Sequence, residues 1–373
     1  MQTVKERIDL QNVQSRGLYA MAYDDNITGR KLFYDAPESP EEKEDIWVMY
    51  QNLNDADKNL YDLFLDLVEN RDVEGYESAI MITNKKLDEI GQAHFWDICH
   101  VMCYDHPEYF YLLNVSGELP FVCTSKTSGE VTMFYVEMNP SDETEKEEIE
   151  AFNRATEEFM ADIDLDAPDD EIALQIHDKL IDLVSYNKEL FIGGQIDDSI
   201  KDLGYTAYGA LVCDSSGRDN YAVCAGYSRA YSYLLHIAGI PSAYISGYAF
   251  FESEPITKKS NHAWNVVKLD GKWYEVDVTW DDFEFWEEDE NNAELMEMLQ
   301  GDESTYFNTR HYYYCRTTSE MENLASTNET LFNISGYSPY NPIKTSYHIR
   351  TIEGVKGVDE KEAFRNSLVP VTN

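Results

Sequence analysis

Basic side chains are scarce in this chain. Its 373 residues carry 29 lysines and arginines against 71 aspartates and glutamates, a formal charge of −42. Nucleic acid and anionic membrane surfaces are excluded as favourable partners, since both would repel such a surface. Two readings of the excess stay open: a solvated acidic face, or attraction of a basic substrate or Ca²⁺. Long apolar runs are missing as well. No stretch approaches the roughly 18 apolar residues of a membrane span, so no integral membrane segment is expected. Residues 1–11 are charged and lack the apolar core of a secretion signal. That leaves the compartment open, because such a signal can be removed. Cysteine is sparse. Cys99, Cys103, Cys123, Cys213, Cys224 and Cys315 form no dense disulfide framework in a chain of this length.

What is present is globular. Hydrophobic residues make up 43% and aromatics 13%, with 27 tyrosines. The length accommodates two domains, each with its own core. Residues 1–30 are polar and weakly patterned. Residues 39–68 predict a helix, with Pro40 near its start and Glu41, Glu42 and Glu44 in the first turn. A second helix is expected over 77–105, then strands over 109–115 and 131–138, with Gly117 and Gly129 at turns. An acidic helix over 138–160 follows, and a break around Pro168 precedes a helix over 171–186. The acidic run 284–303 lacks EF-hand spacing and reads as a solvated insertion. Beyond Leu324 the glycines and prolines suggest loops around one or two short strands.

Chemistry concentrates in two places. Cys224-Ala225-Gly226-Tyr227 opens a series of apolar positions, Tyr227, Ala230, Tyr231, Leu234, Leu235 and Ala238, on one face of a helix stopped by Gly239. Cys224 then lies at the helix N-terminus, where the dipole and free N–H groups favour a thiolate and can serve an oxyanion. Gly226 either leaves room for substrate against the backbone or serves plain packing. Further on, 263–269 and 272–278 read as strands joined by the hairpin signal Asp270-Gly271. A two-residue turn pairs Leu269 with Lys272, which makes His262 and Asp277 diagonal neighbours on one face. A slip of one residue would part them. Singly, Cys224 reads as a small buried thiol and His262 as a packed strand end. Asp277 has no such plain reading, because a carboxylate between Val276 and Val278 needs a partner. Together the three read as nucleophile, base and orienter.

The stretch 171–282 resembles a transglutaminase-like domain of the papain-like cysteine enzyme superfamily, of the kind found in bacterial proteins. The matching text begins with Ile176-His177-Asp178, Tyr186 and Thr206-Ala207-Tyr208-Gly209-Ala210-Leu211. It continues through Cys224-Ala225-Gly226-Tyr227, Gly239-Ile240, His262-Ala263-Trp264-Asn265 and Trp273-Tyr274 to Asp277-Val278-Thr279-Trp280-Asp281-Asp282. Upstream, residues 105–111 resemble a segment that often precedes this domain.

The resemblance implies an α+β fold in which a nucleophile helix packs on an antiparallel sheet. The expected division is a helical and small-sheet N-terminal region over 1–163, the catalytic domain over 164–330 and an extension over 331–373. It further implies acyl transfer from a protein or peptide amide through a thioester on Cys224, with no cofactor, and an extracellular or cell-surface setting. Water as acceptor makes a peptidase or amidase; an amine makes a transglutaminase. Transglutaminases proper carry Trp directly after the nucleophile, and Ala225 here favours the wider family. The alternative is a non-catalytic protein-binding module on the same fold, using the acidic surface and the tyrosine-rich stretch 306–314.

Three further side groups were weighed from the sequence. Tyr208 is a candidate for the cleft or an oxyanion hydrogen bond, or else packs beneath the nucleophile helix. Trp264 and Trp280 flank the His–Asp pair and are expected to shield it from water, with Trp264 also a cleft candidate. His94, Cys99, His100, Cys103 and His106 crowd together as a zinc motif would. The surrounding Phe95, Trp96, Ile98, Val101 and Met102 instead predict an apolar helix with buried cysteines, and no metal is assigned there.

Overall fold

A computed structural model of the chain describes residues 19–23, 46–72, 78–83, 89–112, 121–128, 131–138, 141–192, 202–251, 260–282, 307, 310–325, 345–350 and 360–373. The acidic run 284–303 and the loop residues Gly117, Gly129, Gly336, Pro339, Pro342 and Gly354 lie outside them. The chain divides into two compact units, Met1–Glu150 and Ala151–Asn373.

The first unit contains a four-stranded sheet ordered β1-β2-β4-β3. Strand β1 (Tyr19–Tyr23) runs parallel to β2 (Ser78–Thr83), and β4 (Val131–Met138) pairs antiparallel with β2 and β3 (Phe121–Ser128). The described residues of this unit also form helices α1 (Val48–Gln51), α2 (Asp55–Asn70) and α3 (Glu89–Asp105). Leu60, Tyr61, Phe64 and Leu67 on α2 and Ile98, Val101 and Met102 on α3 are buried at helical spacing. Asp105 ends α3, and its carboxylate accepts the Met49 and Tyr50 N–H groups at 3.2 and 2.8 Å. Burial, only partly offset by these donors, pushes the Asp105 carboxyl up to about 6.

Two expectations are corrected here, and one strand was not foreseen. The long helix expected from 77 does not begin there, because residues 78–83 are a strand. The β-branched Ile80, Ile82 and Thr83 suit a pleated position, and β2 is hydrogen-bonded on both edges. The strand expected over 109–115 is a 3₁₀ turn at Phe110–Leu112, just after Pro107. Strand β3 carried no clear signal and is found by its pairing with β4, from Phe121 opposite Met138 to Ser128 opposite Val131.

Helix α4 (Glu143–Met160) spans the boundary between the units and buries Phe152, Thr156 and Phe159. The second unit continues with α5 (Asp169–Leu183), β5 (Ser185–Tyr186), α6 (Lys188–Ile192), α7 (Ala207–Leu211) and β6 (Tyr221–Ala222). Then come α8 (Cys224–Ile237), β7 (Ser242–Phe251), β8 (Ser260–Leu269), β9 (Lys272–Val276) and α9 (Val278–Asp281). The last described elements are α10 (Thr318–Met321), β10 (Leu324–Ala325), β11 (Thr345–Arg350) and α11 (Glu360–Ser367). An antiparallel sheet ordered β10-β11-β7-β8-β9 backs helix α8. This is the α+β arrangement that the resemblance implied: a helix beginning at the cysteine, packed on an antiparallel sheet.

Local chemistry explains the two elements that matter most. Helix α8 ends where expected, with Gly239 at φ +77°. The Gly239 N–H donates to the His236 carbonyl at 3.0 Å and the Ile240 N–H to Leu235 at 2.9 Å, a Schellman closure. The β8–β9 hairpin has the expected register, Leu269 opposite Lys272 through Asn265 opposite Val276. Strand β9 stops one residue before Asp277, earlier than expected, because the Asp277 side chain caps α9 instead of continuing the ladder.

Candidate active site

Cys224 is the first residue of α8 and is buried. His262 lies on β8 and Asp277 on the turn after β9. The structure brings these three together. The His262 Nε2 stands 2.6 Å from Asp277 Oδ2. Cys224 also lies close enough to the ring to act on its charge. Burial alone would lower the imidazole pKa. The neighbouring Asp277 carboxylate and Cys224 outweigh it and raise His262 to about 10, so the ring holds its proton at neutral pH. Burial would likewise raise Asp277, but His262 and a second histidine hold its carboxyl well below the usual range.

That second histidine is His348 on β11. Its Nε2 lies 2.8 Å from the same Asp277 Oδ2, and the ring is buried. Asp277 Oδ1 accepts the Thr279 and Trp280 N–H groups, each at 3.1 Å. The carboxylate thus meets four donors, one for each lone-pair direction, which is how a fully buried charge is tolerated. Burial lowers the His348 pKa despite the Asp277 contact, so its proton sits on Nε2 and its buried Nδ1 has no partner. No feature of the sequence pointed to His348; it follows a stretch read only as loops and short strands.

The sheet explains how it arrives. His262 and Arg350 both pair with Gly247, on the strand between them. A Cβ at Gly247 would lie 2.6 Å from the Trp264 ring, so the missing side chain leaves room for β8 and β11 side chains to meet across β7. Trp264 and His348 do so edge to face, with ring centroids 5.2 Å apart. Trp280 packs on His348 at 4.6 Å and on His262 at 5.4 Å. Trp264 is fully enclosed and its indole N–H donates to Glu275 Oε2 at 2.6 Å, which makes it a wall of the site. Glu275 is paired in turn with Arg350 at 2.6 Å.

The other named residues have defined places. Asn265 ties the histidine strand to the cysteine helix, donating to the Ser228 carbonyl and Ser232 Oγ at 2.9 Å each. Gly226 is closely packed by its neighbours. A Cβ there would stand 2.7 Å from the Gly204 carbonyl oxygen, and its N–H donates to Val223. Tyr208 is buried with its ring stacked on Phe152 at 6.3 Å. Cys224 acts on Tyr186, whose hydroxyl bonds with the Cys224 N–H, and on Tyr205, whose phenol is pushed up to about 12 by burial and by Cys224. Tyr186 stood in the matching text without a role, and Tyr205 was missed.

The stretch Asp277–Asp282 distributes its carboxylates to three anchors. Asp277 serves the two histidines. Asp281 meets His177 Nε2 at 3.3 Å and accepts the Tyr313 N–H at 2.8 Å, with burial raising its carboxyl to about 6. Asp282 accepts the Tyr227 hydroxyl at 2.6 Å. Among the described residues, two groups stand close enough to share a metal ion: His262, Asp277 and His348, and His177, Asp178 and His311. The crowded histidines and cysteines of α3 are not such a group. Cys99 and Cys103 are enclosed, while His94, His100 and His106 turn to Asp57, the Trp96 carbonyl and Glu108.

Residues 157–278, about a third of the chain, match the family model described as the transglutaminase-like superfamily. The chain therefore carries a transglutaminase-like domain, and the match includes Cys224, His262 and Asp277. The kyphoscoliosis peptidases of Mus musculus and Homo sapiens are each 31% identical over 61 residues, 15% of this chain. That match spans only 9% of the length of either relative. A crystal structure of a TGase aligns over 60% of this chain and 57% of its own, with 12% identity and a TM-score of 0.27. None of the described helices is long and apolar enough to cross a membrane.

Proposed function

We propose that the transglutaminase-like domain is an acyl-transfer enzyme that forms a thioester between Cys224 and the acyl group of a protein or peptide amide. The observation that carries this reading is the His262 ring, held by Asp277 at 2.6 Å and close enough to Cys224 for the two to act on each other's charge. An imidazolium held in that place favours thiolate at the sulfur facing it.

In the first step the Cys224 sulfur attacks the amide carbonyl carbon, and a tetrahedral oxyanion forms. Its donor would be the Tyr186 hydroxyl, which accepts the Cys224 N–H at the start of α8 and keeps its own proton to give. The carbon–nitrogen bond then breaks as His262 gives its proton to the departing amine, which leaves a thioester. In the second step water or an amine attacks the thioester carbonyl, and His262 takes the proton of the incoming group. Sulfur leaves as thiolate, and the product is a carboxylic acid or a new amide. Asp277 fixes the imidazole's orientation throughout, and His348 fixes Asp277.

The test is iodoacetamide alkylation of Cys224 in the folded protein, measured from pH 5 to 9 alongside His262→Ala. Rapid reaction at neutral pH that drops at least about 10²-fold in the variant supports the reading. Reaction no faster than that of an ordinary thiol, and indifferent to His262, rejects it in favour of a binding module on the same fold.

A further inference from the structure

We infer that His177, Asp178 and His311 form a site for one transition-metal dication of the zinc class, separate from the Cys224 centre. The His177 Nδ1 lies 2.9 Å from Asp178 Oδ1, and the His311 Nε2 lies 2.7 Å from the same oxygen. All three ligand atoms fall within 4.8 Å of one another. Each ring turns its other nitrogen to an acceptor outside the group. His177 Nε2 faces Asp281 Oδ2 at 3.3 Å, and His311 Nδ1 faces the Phe307 carbonyl oxygen at 2.6 Å.

A neutral imidazole has one N–H. Donated to Asp281 and to Phe307, those protons leave the inner nitrogens of both rings as lone pairs aimed at a carboxylate oxygen. Three such atoms repel one another unless a cation stands between them. A ring whose outer N–H is held by a carboxylate or a carbonyl is also the usual support for a metal-binding histidine. Charge agrees. With both rings neutral, Asp178, Asp182 and Asp281 contribute three negative charges and Arg310 one positive, which leaves a balance for one dication. Arg310 is the competing cation, but its Nη2 pairs with Asp182 at 2.7 Å while its Nε is 3.7 Å from Asp178 Oδ1.

Two nitrogens and one oxygen suit zinc, with a fourth position left for water. Asp178 is 36% exposed and opens the site to solvent, whereas His177 is enclosed. Binding would spread the N···O separations by roughly 0.4–0.7 Å, toward the spacing of tetrahedral ligands about 2.0–2.1 Å from zinc. The ion would join α5 to the segment at His311 and, through Asp281, brace α9 next to Asp277. It would touch neither Cys224 nor His262. The competing occupant is a second proton on His177, which burial opposes and the Asp178 and Asp281 carboxylates favour more strongly.

The full chain carrying Cys224→Ala is freed of metal with EDTA and titrated with Co²⁺, then with Zn²⁺. One Co²⁺ per chain is expected, with visible d–d bands, no thiolate charge-transfer band, and displacement by Zn²⁺. Melting temperature should rise by roughly 5 °C or more at about 100-fold excess over Kd. His311→Ala and Asp178→Asn should each weaken binding by about 10-fold or more, with circular dichroism confirming the fold. His348→Leu should leave it intact. If one ligand variant does not fold, the parent titration and the other variant decide. The inference is overturned by a folded chain that takes up no Co²⁺ saturably, which leaves protons in place of the ion. It is equally overturned by binding that survives the ligand substitutions, or that is lost with His348→Leu.

Discussion

Replacing His348 with leucine separates orientation from stability. The ring donates one charge-assisted hydrogen bond to the buried Asp277 carboxylate at 2.8 Å, worth roughly 1.5–3 kcal/mol. The same substitution removes the partnerless buried Nδ1, whose desolvation costs about 1–3 kcal/mol. The two largely cancel, so stability near neutral pH should change by no more than about 1–2 kcal/mol. The effect belongs in the pH profile. Asp277 has its pKa depressed by His262 and His348. Its stabilising contribution is present above the unfolded carboxylate value, about 3.9, and is lost as pH falls through the folded value. Losing one donor worth about 1.5–3 kcal/mol raises the folded value. The acid-denaturation midpoint should move up accordingly. Near pH 7 Asp277 stays ionised, and the rate should fall only about 3- to 10-fold through looser orientation. His348→Gln, which can still donate to Asp277, should recover most of the shift. An acid-denaturation midpoint unmoved in the leucine variant, or a stability loss above about 4 kcal/mol, would refute the assignment.

Arg350→Met leaves the buried Glu275 without its cation, and should cost about 3–5 kcal/mol in chemical denaturation; a loss under 1 kcal/mol would contradict the pairing. Gly226→Ala forces a methyl to within 2.7 Å of the Gly204 carbonyl oxygen and should destabilise by about 1–3 kcal/mol in thermal melts. It should also slow alkylation by displacing the start of α8. Mass-spectrometric mapping of iodoacetamide labelling should find Cys224 modified first. Cys99, enclosed and pushed well above the ordinary thiol value by burial and by Cys103, should stay silent until the protein unfolds. Cys315, raised to about 12 by burial, should lag behind Cys224.

Much of the site was legible because its parts obey local rules. An apolar face of period 3.6 placed Cys224 at a helix start, and Gly239 supplied the left-handed residue that ends that helix. The Asp270-Gly271 turn fixed one register, and the period of two along each strand carried His262 toward Asp277. Asp277 was informative for an energetic reason, since a carboxylate between two valines needs partners wherever the chain folds. Residues 78–83 were misread because their environment, a strand paired on both sides, is set by segments distant in sequence.

Local order, by itself, thus determined the cysteine helix, the hairpin and the meeting of His262 with Asp277, because spacing and turn chemistry act over a few residues. Tertiary structure alone decided that His348 would complete the donors around Asp277. That contact depends on β11 pairing with β7, and on a glycine at 247 that lets side chains two strands apart meet. It likewise decided that His177 and His311, far apart in the chain, would face one carboxylate. Such meetings rest on long-range pairing and on volume left empty, and neither leaves a periodic trace in the sequence.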